Sequence, residues 1–459
     1  MPRYITARDV GMISEERLLR SVKGLIRDAA PSLGLPVSIK LWDDEIIPLG
    51  NDADPSLYFS ISGPGVVGAL LRRPTLENFV RHYARGQIDF HGADFMTFAE
   101  RCRVRGSRER RRKIGRWNIV RRLAPFLFVG ADKHEADYEW SGDETGRNRV
   151  QEDNKDYIQF HYDIGNDFYK LFLDERMVYT CAYFTDWNNS LEQAQYDKME
   201  MVCRKLQLKP GERMLDIGCG WGAMVIHAAQ NYGVKAHGVT LSQEQVTYAR
   251  EKIRDLGLEG RASVELIDYT KAQGTYDKVC SIGMVEHVGI ANMPQYVQTI
   301  KELMPDRGIF LNHGITRPAK ASKKLFHKIR PEQRLLAKYI FPGGELDHIG
   351  NTIACMESGG FRIHDVEGWR DHYALTCRQW CNRLWHNREE ATRQVGRERF
   401  RLWLAYLGCV SFSLGDGSAC LFQTVATRHA SRGHSTVPPT REFLYEDWPQ
   451  QEQSEQRAA

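Results

Sequence analysis

Leu215-Asp216-Ile217-Gly218-Cys219-Gly220-Trp221-Gly222 is a short apolar run that ends at an acidic residue and continues into a glycine-rich turn. This pattern predicts a buried strand, a tight turn and the start of a helix. Glycine permits positive φ angles and lets a ligand lie against the backbone at a helix N-terminus. A glycine triplet alone is weak support, because dinucleotide-binding turns look similar and a tight turn needs no ligand. The stretch predicts a nucleotide-like ligand, with a purely structural turn as the alternative.

The spacing of these glycines narrows the range of candidate ligands. They follow the pattern G-x-G-x-G directly after Asp-Ile, which resembles the first motif of class I methyltransferases and differs from the nicotinamide fingerprint. The resemblance implies S-adenosylmethionine as the cofactor. The turn residues that it assigns to the cofactor site are Asp216, Gly218, Cys219, Gly220 and Gly222.

Two later segments agree with a nucleoside ligand. Thr240, Ser242 and Gln245 follow the second predicted strand, where many methyltransferases hold the ribose with a carboxylate that this chain lacks. After the third strand, Asp268 is expected to accept a hydrogen bond from the adenine amino group, and Tyr269 to cover the ring.

From residue 212 onward, strand patterns alternate with helical ones. This alternation predicts an α/β fold with a mostly parallel sheet and helices on both faces, the Rossmann-like architecture of class I methyltransferases. The expected strands are 213–217, 235–240, 262–267, 277–282, 308–314, 361–367 and 419–427. An insertion at 318–350 falls between the fifth and sixth strands, so we expect it to cover the substrate pocket.

The chain is longer than one typical domain, which predicts two folded units. Residues 1–125 have the pattern of a small N-terminal α/β domain, with lipid or membrane binding as a hypothesis for its role. Residues 126–156 are expected to form a linker, because 131–156 are polar and have no apolar periodicity. The catalytic domain should span 157–430, and 431–459, rich in Ser, Pro, Gln and Glu, predicts a disordered tail.

Positive charge is concentrated in one segment, although the net charge is only +4. The segment contains Arg101, Arg103, Arg105, Arg108, Arg110, Arg111, Arg112, Lys113, Arg116, Arg121 and Arg122. It is either a solvated helix face or a surface for polyanions. Bulky apolar residues from Trp117 to Phe128 follow directly, which favours an interfacial membrane segment. We predict peripheral association with an anionic bilayer through 101–122 and no nucleic-acid partner.

The N-terminal residues lack a signal-peptide pattern, and no uncharged apolar run is long enough for a membrane span. These features predict a cytoplasmic protein that is peripheral on the inner membrane face. The cysteines form no paired framework, and Cys377 and Cys381 have no second pair at zinc-ligand spacing. We expect neither disulfides nor a metal site. A homodimer is a further hypothesis, since two membrane contacts bind more tightly than one.

Six segments, in one order, resemble the cyclopropane-fatty-acyl-phospholipid synthase family, which includes the mycolic acid cyclopropane synthases. They are 161–169, 179–184, the glycine turn, 240–242, 283–289 and 339–344. The resemblance covers 155–430 and is weaker in the N-terminal domain. It adds Tyr179 and Thr180 to the expected cofactor site.

The resemblance implies transfer of a methylene unit from S-adenosylmethionine to the double bond of an unsaturated phospholipid acyl chain. An alkene is a poor nucleophile, so a water-poor pocket must hold it in line with the methyl donor. Methyl transfer leaves a carbocation on the lipid, and loss of a proton closes a cyclopropane ring, with bicarbonate as the base. The residues that the resemblance assigns to this anion are Cys181, Glu286, His313, Ile315 and Tyr373, with Cys181 and Ile315 acting through their backbone.

One departure concerns the product. The family's usual His-Thr-Ile is His313-Gly314-Ile315 here, which removes a hydroxyl beside the base. A methyltransferase that forms a methyl-branched or methylene fatty acid is therefore an alternative. Two other classes are a nucleic-acid methyltransferase, suggested by the arginines but lacking an Asn-Pro-Pro-Tyr type motif, and a lipid-binding protein with an inactive cofactor site. The intact glycine turn, with Glu286 and His313, disfavours the latter.

Overall fold

The computed structural model describes residues 14–103, 116–130, 164–446 and 448. An N-terminal domain contains a four-stranded sheet in the order β2-β1-β3-β4. Its strands are β1 (Val37–Lys40), β2 (Ile46–Pro48), β3 (Asp54–Ile61) and β4 (Ile88–His91). Its helices are α1 (Glu15–Leu33), α2 (Pro64–Arg72), α3 (Leu76–Ala84), α4 (Phe95–Cys102) and α5 (Arg116–Leu123). Leu18 and Val22 of α1 share a core with Val37 and Ile39 of β1, so the unit buries its own apolar surface.

The catalytic domain is built on a seven-stranded sheet in the order β10-β11-β9-β8-β5-β6-β7. The strands are β5 (Arg213–Ile217), β6 (Lys235–Thr240), β7 (Ala262–Leu266), β8 (Lys278–Ile282), β9 (Ile309–Thr316), β10 (Phe361–Gly368) and β11 (Cys420–Arg428). Only β11 runs against its neighbours in this sheet. The structure confirms the mostly parallel sheet that the sequence predicts.

Helices cover both faces of this sheet. The helices of the whole domain are α6 (Asn166–Lys170), α7 (Leu191–Leu206), α8 (Ala223–Tyr232), α9 (Gln243–Asp255), α10 (Val285–Val288), α11 (Met293–Glu302), α12 (Lys323–Phe326), α13 (Pro331–Tyr339), α14 (Ile349–Ser358), α15 (Arg370–His386), α16 (Arg388–Val395) and α17 (Arg397–Gly415). Met214 packs towards α7, α8 and α9, whereas its neighbour Leu215 packs towards α11, because successive strand residues face opposite sides.

A third core lies beside the sheet and is rich in aromatic rings. Trp380 of α15 and Trp403 of α17 are buried with Phe168, Phe172 and Tyr179. The Tyr179 and Trp380 ring centroids are 5.1 Å apart. This core holds α15 and α17 against the carboxyl ends of the sheet strands. Within the ranges that the structure describes, no helix is both long and apolar enough to cross a membrane.

Two predicted boundaries are wrong. The linker was expected from residue 126, but Ala124–Phe128 form a 3-10 helix whose Phe126 is fully buried in the N-terminal core. A disordered tail was expected from residue 431, but Glu442–Leu444 form a 3-10 helix and Leu444 is buried against the catalytic domain. In both places a buried apolar side chain extends the domain beyond the predicted boundary. The rest of the predicted linker, 131–156, lies outside the described residues.

Candidate active site

One cavity lies at the carboxyl ends of β5, β6 and β8. Its wall includes most of the sequence-predicted site residues: Tyr179, Thr180, Asp216, Gly218, Cys219, Gly220, Thr240, Gln245, Tyr269, Glu286, Ile315 and Tyr373. The predicted residues that do not line it are Cys181, Gly222, Ser242, Asp268 and His313. The edge of a parallel sheet thus brings together residues nearly two hundred positions apart in sequence.

The glycine turn forms the floor of this cavity. Gly218, Gly220 and Gly222 have φ angles of +77°, +54° and +83°, which L side chains rarely adopt. A Cβ on Gly220 would meet no protein atom within 4 Å, so this glycine presents open backbone to the cavity. Gly222 caps α8 instead, where a Cβ would lie 2.9 Å from Ala249 Cβ. The turn offers backbone, not side chains, to a ligand.

Asp216 is the penultimate residue of β5 and lies beneath the turn. Burial raises the pKa of its carboxyl to about 6, and the Cys280 thiol donates a hydrogen bond to Oδ1 at 3.3 Å. The nearby Lys198 ammonium opposes the rise. A carboxyl in this position can accept from polar N–H or O–H groups of a ligand.

Thr240, Ser242 and Gln245 form one unit after β6. Thr240 Oγ1 donates to Gln245 Oε1 at 2.7 Å, and the Ser242 side chain caps α9 by accepting from the Gln245 backbone N–H. Thr240 and Gln245 reach the wall, and Ser242 supports them from behind. The pair occupies the place of the ribose-binding carboxylate of other methyltransferases.

The adenine contact expected of Asp268 stays a prediction, and the structure shows what its first oxygen does. Its Oδ1 accepts from the backbone N–H of Thr270 at 2.9 Å and from the Thr270 hydroxyl at 2.7 Å, which caps a short 3-10 helix. An Asp side chain bonded to the backbone two residues later stabilises a turn, and Asp268 is not among the residues that line the cavity. Tyr269 does line the cavity.

Glu286 is the buried acid of the site. It lies on α10 and is 3% exposed, and its Oε1 accepts from the backbone N–H of Ile315 at 2.9 Å. Burial raises the pKa of this carboxyl to about 7, although the hydrogen bond from Ile315 opposes the rise. Its second oxygen, Oε2, has no partner among the residues described. Since the Ile315 N–H is already engaged, this amide is not free to bind an anion as expected.

His313 lies on β9, two residues before Ile315, and is 1% exposed. Its Nδ1 is 3.0 Å from Gln423 Nε2, and its Nε2 has no partner within the described part of the chain. Burial, together with Lys198 and Lys205, lowers its pKa well below the usual value, so the imidazole is neutral. The ring lies behind the wall and packs edge-on against Trp369.

Cys181 and Tyr373 both adjoin Trp369. The Cys181 thiol faces the Trp369 carbonyl oxygen at 3.8 Å, and the Tyr373 N–H donates to the same carbonyl at 3.0 Å. Burial raises the pKa of each side chain well above its ordinary value. Cys181 therefore remains a thiol rather than a nucleophilic thiolate, and the Tyr373 hydroxyl remains a donor at the wall.

The space left by Gly314 is already filled. A Cβ on Gly314 would lie 2.1 Å from Val285 Cγ2, so the side chain of α10 occupies the position where other family members have threonine. The glycine does not open a hole beside the acid. It permits the close approach of α10 to β9 that brings Glu286 within reach of the Ile315 N–H.

Several wall residues were missed by sequence reasoning. They are Lys198, Trp221, Met284, His287, Phe341 and Tyr406. Trp221 lies inside the glycine motif and could have been found there; its Nε1 donates to Asn166 at 2.7 Å. Lys198 is a buried lysine on α7 that donates to Thr180 Oγ1 at 3.0 Å, and no local pattern distinguishes it from a surface lysine.

The predicted insertion does cover the cavity. Phe341 lines it, and the Phe341 and His287 ring centroids are 4.4 Å apart. The Glu345 backbone N–H donates to the Glu286 carbonyl at 3.0 Å, which ties the insertion to α10. On its outer side, Lys338 pairs with Glu77 of α3 at 3.0 Å, so the cover also contacts the N-terminal domain.

The sheet order, the glycine turn and the cavity at the strand ends define a class I S-adenosylmethionine-dependent methyltransferase. Comparison with known proteins narrows the class. The profile of the family described as mycolic acid cyclopropane synthetase matches residues 149–424, and the chain belongs to this family.

Relatives over most of the chain include a probable fatty acid methyltransferase of Pseudomonas putida, 32% identical over 91% of this chain and 98% of that protein. The cyclopropane-fatty-acyl-phospholipid synthase of Escherichia coli strain K12 is 36% identical over 60% of this chain and 68% of that enzyme. A cyclopropane synthase structure from Mycobacterium tuberculosis matches with a TM-score of 0.56 at 28% identity, covering 60% of this chain and 98% of its own. A mycolic acid cyclopropane synthase complexed with SAH and CTAB has a TM-score of 0.56 and 30% identity over the same shares.

Proposed function

We propose that this enzyme transfers a methylene unit from S-adenosylmethionine to the double bond of an unsaturated phospholipid acyl chain, forming a cyclopropane fatty acid. The observation that carries the proposal is Glu286, a buried carboxyl on the wall of the cofactor cavity with a pKa of about 7 and an unpartnered Oε2. Ring closure requires removal of one proton in a place without water. A carboxyl that titrates near neutrality can take part in such a transfer.

The residues present fit the cofactor. The open backbone of Gly220 and the Thr240–Gln245 pair suit a nucleoside, and the buried Lys198 provides a cation for the carboxylate of an amino-acid group. When bound, S-adenosylmethionine supplies an electrophilic methyl group. The aromatic core of Tyr179 and its neighbours, together with Phe341, excludes water from the space where an alkene has to lie.

The residues present also fit bicarbonate as the base. Two bare anions in contact repel each other, so an anion beside Glu286 requires a shared proton, which a pKa of about 7 permits. Tyr373 offers a hydroxyl donor at the wall, and His313 has one unpartnered ring nitrogen close behind it. Bicarbonate would accept the proton that leaves the new methyl group.

The experiment that tests the function is a product assay. Purified enzyme is incubated with S-adenosylmethionine and vesicles of monounsaturated phospholipid, and the fatty acid esters are analysed by mass spectrometry. Cyclopropane chains, with a mass gain of one methylene, support the proposal. Because a methylene-branched chain has the same mass, double-bond hydrogenation before analysis separates the two. If only reducible chains form, the enzyme is a methyltransferase of the branched or methylene type.

That second function has an observation in its favour. The Pseudomonas putida relative, which matches nearly the whole chain, is described as a probable fatty acid methyltransferase rather than a cyclopropane synthase. Both reactions begin with the same methyl transfer and end with loss of a proton. For ring closure the proton leaves the new methyl group; a methyl-branched alkene forms when a chain carbon loses the proton instead, and a methylene group forms when a hydride first shifts to the cationic carbon.

We also propose that the N-terminal domain binds an anionic bilayer, as a peripheral protein on the cytoplasmic membrane face. Val120, Leu127 and Phe128 are exposed large apolar side chains, and Phe128 is 78% exposed. The exposed Arg121 follows Val120 on α5, and Leu127 and Phe128 are in the 3-10 helix that comes next, while Arg122 is already paired with Asp28 at 2.8 Å. Apolar side chains next to an exposed cation suit the headgroup region of a membrane. Of the basic segment, 104–115 lies outside the described residues.

A vesicle-binding experiment tests this surface. The pair Leu127→Ser and Phe128→Ser should weaken sedimentation with mixed phosphatidylglycerol and phosphatidylethanolamine vesicles. Leu256→Ser, an equally exposed leucine at the end of α9, is the control and should bind like the parent. Arg121→Ser should weaken binding more at low salt than at high salt. Equal vesicle binding by the parent and all variants would show that this surface does not bind the bilayer.

A further inference from the structure

A chain of buried polar side chains leads from Lys205 to His313. Lys205 Nζ forms an ion pair with Glu367 and donates to Gln423 Oε1 at 2.7 Å. Gln423 Nε2 lies 3.0 Å from His313 Nδ1. The register of β9 and β11 places Gln423 directly opposite His313, and the Gln423 side chain is fully buried. None of these contacts is within one element, so they depend on the assembled sheet.

The donor and the acceptor of each hydrogen bond can be assigned from the chemistry of Lys205, at one end of this series of side chains. An ammonium group can only donate, so the oxygen of the Gln423 amide must face Lys205. The NH₂ of the same amide then faces His313. Two donors cannot share a hydrogen bond, so His313 Nδ1 has to be the acceptor and the single ring proton of the neutral imidazole lies on Nε2.

The surroundings keep this arrangement dry and the histidine neutral. Lys205 Nζ lies 5.1 Å from the centroid of the Trp369 ring, and the His313 ring meets the same indole edge-on at 5.5 Å. Burial and the cations of Lys198 and Lys205 lower the pKa of His313. Burial lowers the pKa of Lys205, and the ion pair with Glu367 opposes that fall by stabilising the ammonium form. Of the His313 ring nitrogens, Nε2 has no partner among the described residues.

We propose that Lys205 and Gln423 are positioning residues that hold His313 as the Nε2–H tautomer, so that His313 donates a hydrogen bond to an anion and is not the base. The inference rests on the proposed function, since that function places an anion or an anionic carboxylate beside His313. It divides the two buried groups by role: His313 orients, and Glu286, alone or through the anion with which it shares a proton, receives the proton.

The tautomer can be read directly. Magic-angle-spinning ¹⁵N spectra of histidine-labelled enzyme distinguish a protonated from a bare ring nitrogen, and His313→Gln identifies the His313 signals among the fifteen histidines. We expect a protonated Nε2 and a bare Nδ1 in the parent. A protonated Nδ1, or a doubly protonated ring, overturns the inference whatever the lipid assay shows.

Two variants of Gln423 test the mechanism. Gln423→Glu keeps the shape but turns the donor to His313 into an acceptor, so the proton should move to Nδ1. Activity should fall roughly 10- to 100-fold in kcat, because the hydrogen bond to a charged partner is lost, while SAH affinity is unchanged. Gln423→Met removes the hydrogen bond to His313 Nδ1 and puts no acceptor in its place. It should give a mixture of His313 tautomers and a smaller loss of kcat than Gln423→Glu.

The outcomes separate the inference from the proposed function. An unchanged tautomer in Gln423→Glu, or a full kcat with Nδ1 protonated, overturns the positioning role. If the variant fails to fold, as judged by loss of SAH binding, the spectrum of the parent still decides. A parent enzyme with protonated Nε2 that modifies no lipid refutes the proposed lipid reaction and leaves the tautomer assignment standing.

Discussion

At the cofactor end of the cavity, the polar side chains already have partners within the protein: Thr240 donates to Gln245, and Cys280 donates to Asp216. At the acid end, Glu286 Oε2 and His313 Nε2 are buried without a partner in the described ranges. Leaving a buried polar atom unpaired costs about 1–3 kcal/mol, a cost that a bound anion can offset. The polar side chains at the cofactor end are already paired, whereas those at the acid end keep two atoms that the proposed anion would pair. Changes to the two ends should therefore have separable effects on binding and on turnover.

Replacing the buried acid should give the largest effect. Glu286→Gln keeps an oxygen for the Ile315 N–H but cannot exchange a proton, so kcat should fall by about 10²- to 10⁴-fold. SAH affinity, measured by calorimetry, should stay at the parent value because the cofactor end is unchanged. The matched control is Glu244→Gln on the exposed first turn of α9. A parallel loss of SAH binding would break the division between the two ends.

The same variant should alter the pH dependence of stability. Burial raises the pKa of Glu286 from 4.5 to about 7, so the folded protein holds this proton more tightly than the unfolded chain does. Below the pKa that Glu286 has in the unfolded chain, this group does not reduce the stability of the parent. As the pH rises through the pKa of the folded state near 7, the free energy of unfolding of the parent falls by up to about 3 kcal/mol. Glu286→Gln has no such loss. Urea unfolding measures this. Between about pH 5 and pH 8, the free energy of unfolding of the variant should rise relative to that of the parent. A difference that stays constant with pH would mean that Glu286 is not buried as a neutral acid.

The tight contact between α10 and β9 can be broken and restored. Gly314→Thr introduces a Cβ within 2.1 Å of Val285 Cγ2, and such overpacking costs about 1–3 kcal/mol. Adding Val285→Ala should recover most of that loss, because it vacates the contested space. Thermal unfolding of the two single variants and the double variant forms a cycle that measures the coupling. Additive effects would show that Val285 does not fill the place of the missing side chain.

The smallest effect should come from one methyl group in the cofactor cradle. Gly220→Ala and Gly257→Ala both place a Cβ at positive φ, +54° and +63°, with no protein atom within 4 Å. Each should lose about 1 kcal/mol of stability. Only Gly220→Ala should weaken SAH binding, since only Gly220 faces the cavity. Equal SAH affinity in both variants would mean that the ligand does not lie against Gly220.

The parts of the site that local sequence predicts are those made by consecutive residues. The strand bounds, the glycine turn and the Thr240–Gln245 segment follow from short-range patterns, because a strand, a tight turn and a helix cap are each set by a few neighbouring residues. The family resemblance added Glu286, Tyr373 and the rest of the acid end as a set. The resemblance does not indicate which polar atoms of these residues already have hydrogen-bond partners within the protein.

The other features of the site were determined by packing between segments that are far apart in the sequence. That Gln423 lies opposite His313, that Val285 fills the space at Gly314, and that Lys198 faces the cofactor cavity all depend on residues far apart in the chain. The burial of Leu444 likewise reversed what composition predicted. Sequence by itself determined which segments form strands, where the glycine-rich turn lies and which family the chain resembles, since these depend on local sequence patterns. Only the tertiary structure decided the protonation and hydrogen-bond direction of the buried groups, because desolvation and partner geometry arise when distant segments pack together.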